Sequence, residues 1–107
     1  MFGITAFRLQ NKSVYLIHKN AYFLLINTNT LSVVDIRTLK NYLRLTQNLN
    51  FRKTSEEVFI AQPALSRQIQ QLEEAVGAML FDRDKRNVRP TPAGLFFQKE
   101  VERIVFL

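Results

Sequence analysis

Apolar residues fall along this chain in two textures that change at Val34/Asp35. In the first, Val14–Ile17 and Ala21–Ile26 are short continuous runs separated by His18, Lys19 and Asn20, a pattern that predicts a β-hairpin. Asn27-Thr28-Asn29-Thr30 follows as a polar loop. From Asp35 the spacing turns helical. Asp35 is placed to cap a helix that buries Ile36, Leu39, Leu43 and the Thr46–Leu49 stretch while Arg37, Lys40 and Arg44 stay outside. Asn50 caps a second, short helix with Phe51, Thr54, Ser55 and Val58 inward.

A third helix opens at Gln62-Pro63, where proline suits a first turn that does not need its amide donor. With Leu65 at zero and 100° per residue, Ile69 falls at about +40°, Leu72 at about −20° and Val76 at about +20°, a narrow buried stripe. The same arithmetic turns Pro63, Ser66, Arg67 and Gln70 outward, and Gly77 ends the helix. Leu80–Arg83 and Val88–Thr91 then read as two short strands around Asp84–Asn87, and Thr91-Pro92 starts a last helix.

Two short helices joined tightly, the second displaying polar side chains from its first turns, describe a helix-turn-helix, with the hairpin as a wing. The fold class expected is mainly α: a three-helix core with a β-hairpin wing, followed by the start of a further helix. A helix of this width fits the major groove, where glutamine can pair bidentately with adenine and arginine with guanine. Gln62, Ser66 and Arg67 are chemically suited to that, whereas Glu73 and Glu74 at the other end would be repelled by phosphate. Arg83, Lys85, Arg86 and Arg89 outweigh Asp84 in the hairpin and would grip backbone, adding affinity more than sequence choice.

Charge supports a polyanion partner. Fifteen Lys and Arg against nine Asp and Glu leave +6, with a pI near 10.1, which suits nucleic acid or an acidic membrane surface. The early apolar runs are too broken for a membrane anchor and too short to span a bilayer, so no membrane partner is expected. Chemistry is bounded by absences. The sequence has no cysteine and a single histidine, His18, which removes thiolate sites, histidine triads and multi-histidine metal centres. No enzyme, metal or cofactor is expected, and the lack of disulfides suits a cytoplasmic protein.

From Asp35 onward the chain resembles the LysR-type transcriptional regulators, in their N-terminal winged helix-turn-helix. Asp35-Ile36-Arg37-Thr38-Leu39, Asn50-Phe51, Ala61-Gln62-Pro63-Ala64-Leu65-Ser66-Arg67-Gln68-Ile69 with Leu72-Glu73, Leu80-Phe81-Asp82-Arg83 and Thr91-Pro92-Ala93-Gly94 carry the likeness. Thr54-Ser55 departs from the alanine pair usual there but keeps the volume small, and Phe59 stands at a commonly polar position. The resemblance implies contacts to double-stranded DNA from Gln62, Pro63, Ser66 and Arg67, phosphate near Lys53, and wing contacts from Arg83 with Lys85, Arg86 and Arg89. It implies a homodimer formed through the helix after Thr91-Pro92, to which Leu95, Phe97, Val101, Ile104 and Phe106 are assigned. Phe97, Val101 and Ile104 form one stripe and Leu95 and Phe106 the opposite one, so one face can meet its own domain and the other a partner.

This reading divides the chain into an extension at 1–34, a winged helix-turn-helix at 35–91, and the start of a linker helix at 92–107. Family members begin about where Val34 lies. Translation from a non-standard codon at Val34 would account for the extension; otherwise it packs as an added hairpin or stays mobile. The large effector-binding region of the family has no counterpart in these residues, so no effector ligand is expected. The alternative function is a truncated interaction module that pairs with full-length relatives through its last helix and disables their dimers.

Overall fold

The computed structural model describes residues 3–19, 22–27, 31–84 and 87–105. Their order is β1 (Gly3–Leu9), β2 (Lys12–Lys19), β3 (Tyr22–Ile26), β4 (Leu31–Asp35), α1 (Ile36–Asn48), α2 (Phe51–Val58), α3 (Gln62–Val76), β5 (Phe81–Arg83), β6 (Val88–Pro90) and α4 (Pro92–Glu102). The helices form where capping residues and apolar spacing place them. Asp35 and Asn50 accept from the amides of Arg37 and Lys53, both at 2.8 Å, Thr91 accepts from Gly94 N at 2.9 Å, and Gly77 ends α3 in the left-handed region at φ 83°.

The expected hairpin is the middle of a larger element. β1 to β4 make an antiparallel meander in sequence order, with Phe7 opposite Val14, Leu16 opposite Leu25 and Phe23 opposite Val34. Alternation sends Phe7, Leu9, Val14, Leu16, Leu25 and Val34 into the interior. They share one core with Leu39, Tyr42 and Leu43 of α1, Leu65, Ile69, Leu72 and Val76 of α3, and Phe97 and Val101 of α4. The sheet therefore adds β structure to the mainly helical architecture expected from sequence. Polar contacts tie it to α3: Asn27 Nδ2 donates to Ala75 O at 2.7 Å and Lys12 Nζ to Gly77 O at 3.2 Å. Both satisfy carbonyls at the end of a helix, where partners within the helix run out.

Aromatic packing joins the sheet to the helices. Phe7 lies 5.8 Å from Phe96 and 5.9 Å from Phe97, centroid to centroid, and Tyr42 meets Phe81 edge-on at 5.7 Å. The Tyr42 hydroxyl is buried and donates to Gly94 O at 2.9 Å; its pKa is driven well above the ordinary tyrosine value, chiefly by burial.

One prediction arises at the start of α1. The Arg37 amide bonded to the Asp35 carboxylate is the main reason its pKa lies below the ordinary 3.8. A depressed folded-state pKa contributes stability that is complete above the unfolded value and is lost as pH falls through the folded one. Asp35→Ala should cost about 1 kcal/mol at neutral pH. In urea titrations the difference from the parent should shrink as the buffer is taken below the ordinary aspartate range.

Candidate nucleic-acid interface

The reading surface is built at the turn from α2 to α3. Phe59 takes a left-handed backbone at φ 60° and stands 91% exposed, and Ile60 N bonds back to Ser55 O at 3.1 Å. Ala61 is the N-cap of α3 and supplies no side-chain cap, so the opening amides of the helix are not consumed by one. Buried Thr54 and Ser55 let α3 approach α2 closely. Their hydroxyls are engaged locally, Thr54 with Asn48 Nδ2 at 3.0 Å and Ser55 with Arg52 O at 2.8 Å.

Against that frame Leu65, Ile69, Leu72 and Val76 are at most 1% exposed, while Gln62, Pro63, Ser66, Arg67 and Gln70 are all exposed. The first two turns of α3 thus present one continuous polar surface. Gln68 beside it accepts from Asn41 Nδ2 at 2.9 Å, which ties the helix to α1. Lys53 on α2 and Arg89 on β6 are exposed. Lys85, Arg86 and Phe106 lie outside the described residues.

Arg83 and Glu73 meet at the root of the hairpin. Glu73, expected only to be repelled by phosphate at the far end of α3, is 4% exposed. Its Oε2 accepts from the amides of Leu80 at 2.8 Å and Phe81 at 3.2 Å, and its Oε1 from Arg83 Nη2 at 2.9 Å. The guanidinium of Arg83, whose side chain is 29% exposed, also lies over the Phe51 ring, 5.3 Å from its centroid. Arg83 therefore links α2, α3 and the root of the hairpin, and Glu73 is the buried acceptor that holds that root. The hairpin itself is the expected antiparallel pair, with Asp82 opposite Arg89 and its Asp84–Asn87 turn closed by Asn87 N on Asp84 Oδ1 at 2.7 Å.

On α4 the two stripes separate. Phe97 and Val101 are fully buried in the chain's own core and Ile104 packs against it, whereas Leu95 is 51% and Phe96 42% exposed. Phe97 and Val101 are the face that meets its own domain, which leaves Leu95 and Phe96 as apolar surface. Among the described residues, no helix is long and apolar enough to cross a membrane, and no three His, Cys, Asp or Glu side chains gather to hold a metal.

The part of the chain that holds the helices and the β5–β6 hairpin matches known proteins. Residues 36–95 fit the family model of the bacterial regulatory helix-turn-helix protein, lysR family. The HTH-type transcriptional regulator BenM of Acinetobacter baylyi is 42% identical over 64 residues, covering 60% of this chain and 21% of that protein. The Hca operon transcriptional activator HcaR of Escherichia coli is 39% identical over 72 residues, covering 67% and 24%. The chain thus spans under a quarter of the length of these relatives. Among solved structures, the BenM DNA-binding domain with catB site 1 DNA superposes with a TM-score of 0.62 at 38% identity, covering 66% of this chain and 80% of that one. The CbnR DNA-binding domain in its DNA complex gives 0.63 at 30%, covering 66% and 82%. With more than half of its residues inside the family match, the chain belongs to the lysR family of bacterial regulatory helix-turn-helix proteins.

Proposed function

We propose that this chain is the sequence-specific DNA-binding part of a bacterial transcriptional regulator acting in the cytoplasm, a winged helix-turn-helix of three helices and a hairpin at 35–91. The observation that carries the reading is the exposed polar surface of Gln62, Pro63, Ser66 and Arg67 on the first turns of α3, on a helix whose opposite side is buried. Entering by that end also aims the positive end of the helix dipole at phosphate. Gln62 and Arg67 read base edges, Pro63 and Ser66 lie against them, and Lys53 and Arg89, with Lys85 and Arg86, hold backbone. The role is recognition rather than catalysis. Residues 92–107 begin a pairing helix whose exposed Leu95 meets a second subunit, and residues 1–34 are an extension of the domain. Two-fold pairing would match two half-sites on the duplex.

Salt titration of duplex binding separates the roles. Arg67→Ala should reduce discrimination between the preferred duplex and a mismatched one by about 1–3 kcal/mol. Arg89→Ala should weaken every duplex alike and reduce the salt slope by about 1. If the parent chain bound all sequences equally, direct readout by α3 would be refuted.

A further inference from the structure

The four-stranded sheet buries one face and leaves the other uncovered. Register aligns the outward residues in two central cross-strand rows, flanked by Arg8 opposite Ser13 at one end and by Lys19, Tyr22 and Asp35 at the other. Ile4, Ile17, Leu24 and Val33 form one, and Ala6, Tyr15, Ile26 and Leu31 the other. Every one of the eight is apolar or aromatic and none is charged, on a chain of net charge +6. Val33 is 72%, Leu31 67%, Ile4 60% and Tyr15 44% exposed. A solvated antiparallel sheet ordinarily alternates apolar inside with polar outside; here the two central rows of the outer face are apolar as well.

We infer that this face is a self-association surface, occupied by the same face of a second copy of the chain packed sheet against sheet. Charge argues for that occupant: an acidic or basic partner finds nothing to pair with in the two central rows, and the charged positions of this face, Arg8 and the Lys19–Tyr22–Asp35 row, lie at its two ends. Shape argues for it as well. Two identical sheets carry the same twist and pack face to face at about 30°, with side chains interdigitating. Area is sufficient. Eight such side chains, three of them partly covered, present on the order of 500 Å². Two copies therefore remove on the order of 1,000 Å², the lower bound of a specific interface, so the pair should be weak and concentration-dependent. Hydrogen bonds from Asn27 and Lys12 tie the sheet to the C-terminal end of α3. This inference stands apart from the DNA-binding reading and from pairing through α4.

Sedimentation velocity of the whole chain over a micromolar concentration series tests it, with circular dichroism to confirm that each variant is folded. The parent should form a reversible dimer. In a Leu95→Glu background, which removes pairing through α4, Val33→Lys and Leu31→Lys should each raise the dissociation constant of the remaining dimer about tenfold or more. Both side chains point into solvent, and Ile4→Lys on the opposite edge strand serves if either variant misfolds. A chain that stays monomeric at every concentration overturns the inference, whatever else the face then binds. So does a dimer that ignores the sheet substitutions, including one that Leu95→Glu abolishes. Duplex binding measured on Val33→Lys keeps the two readings distinguishable, since losing the dimer should leave binding by α3 in place.

Discussion

Glu73→Ala should lower the unfolding free energy by about 2–4 kcal/mol, mainly the cost of leaving two buried amides without their acceptor. The carboxylate is 4% exposed and accepts from two amides and a guanidinium. Removing it leaves Leu80 N and Phe81 N without that acceptor where water has little access, while Arg83 can turn to solvent. Glu73→Gln, which keeps a carbonyl oxygen but no charge, should cost less, about 1–2 kcal/mol. Equilibrium urea denaturation of the three proteins measures the series. A Glu73→Ala change within about 0.5 kcal/mol, the usual effect of an exposed substitution, would mean that the carboxylate does not hold the hairpin root.

The second large effect is expected at Gly94. A Cβ built there would lie 2.0 Å from Leu80 O, and that oxygen is backbone, unable to swing away. Accommodating a methyl requires α4 and the Leu80 segment to separate by more than 1 Å, since ordinary contacts begin at 3.4 Å. Two hydrogen bonds span the same joint, Thr91 N to Leu80 O at 3.0 Å and Thr91 Oγ1 to Met79 O at 2.6 Å, and a third ties α4 to α1, Tyr42 OH to Gly94 O at 2.9 Å. Gly94→Ala should therefore destabilise by about 3 kcal/mol, at the upper end of overpacking effects. Tyr42→Phe removes only the last of these bonds and should cost about 1–2 kcal/mol. Equal stability of Gly94→Ala and the parent would show that the close approach is not required.

The helical half of this fold was legible because its signals are local. Asp35, Asn50 and Thr91 bond to amides two or three residues ahead, Pro63 and Gly77 bracket α3, and the Leu65–Val76 stripe follows from helix geometry alone. The sheet was half legible. β2 and β3 are continuous apolar runs, but β1 is joined to β2 by Gln10-Asn11, whose positive φ values of 49° and 63° make a turn usually announced by glycine. β4 passes into α1 without any turn, Asp35 being both its last residue and the helix cap, so Leu31–Val34 reads as approach to the helix.

The burial of Glu73 was not legible in the sequence. It sits about 80° from Leu65 on the helical wheel, at the margin of the apolar stripe, where an acid can face either way. What buries it comes from beyond Gly77: the chain turns back and brings two free amides and Arg83 to the same point. A Glu at a stripe margin followed within about ten residues by a helix stop and an Arg was the available signal. At the interface itself, Gln62, Ser66 and Arg67 were legible as exposed. That Arg83 is turned inward toward Glu73 and Phe51 was not, because the wing's basic residues look alike in sequence.

The most direct test of the account is guanine N7 methylation interference on a duplex selected by the purified chain, comparing the parent with Arg67→Ala. N7 lies in the major groove, where an arginine from the first turns of α3 would meet it. The account predicts that methylating particular guanines abolishes binding by the parent, and that Arg67→Ala becomes indifferent to at least one of them. Binding by the parent that no N7 methylation disturbs would contradict the account.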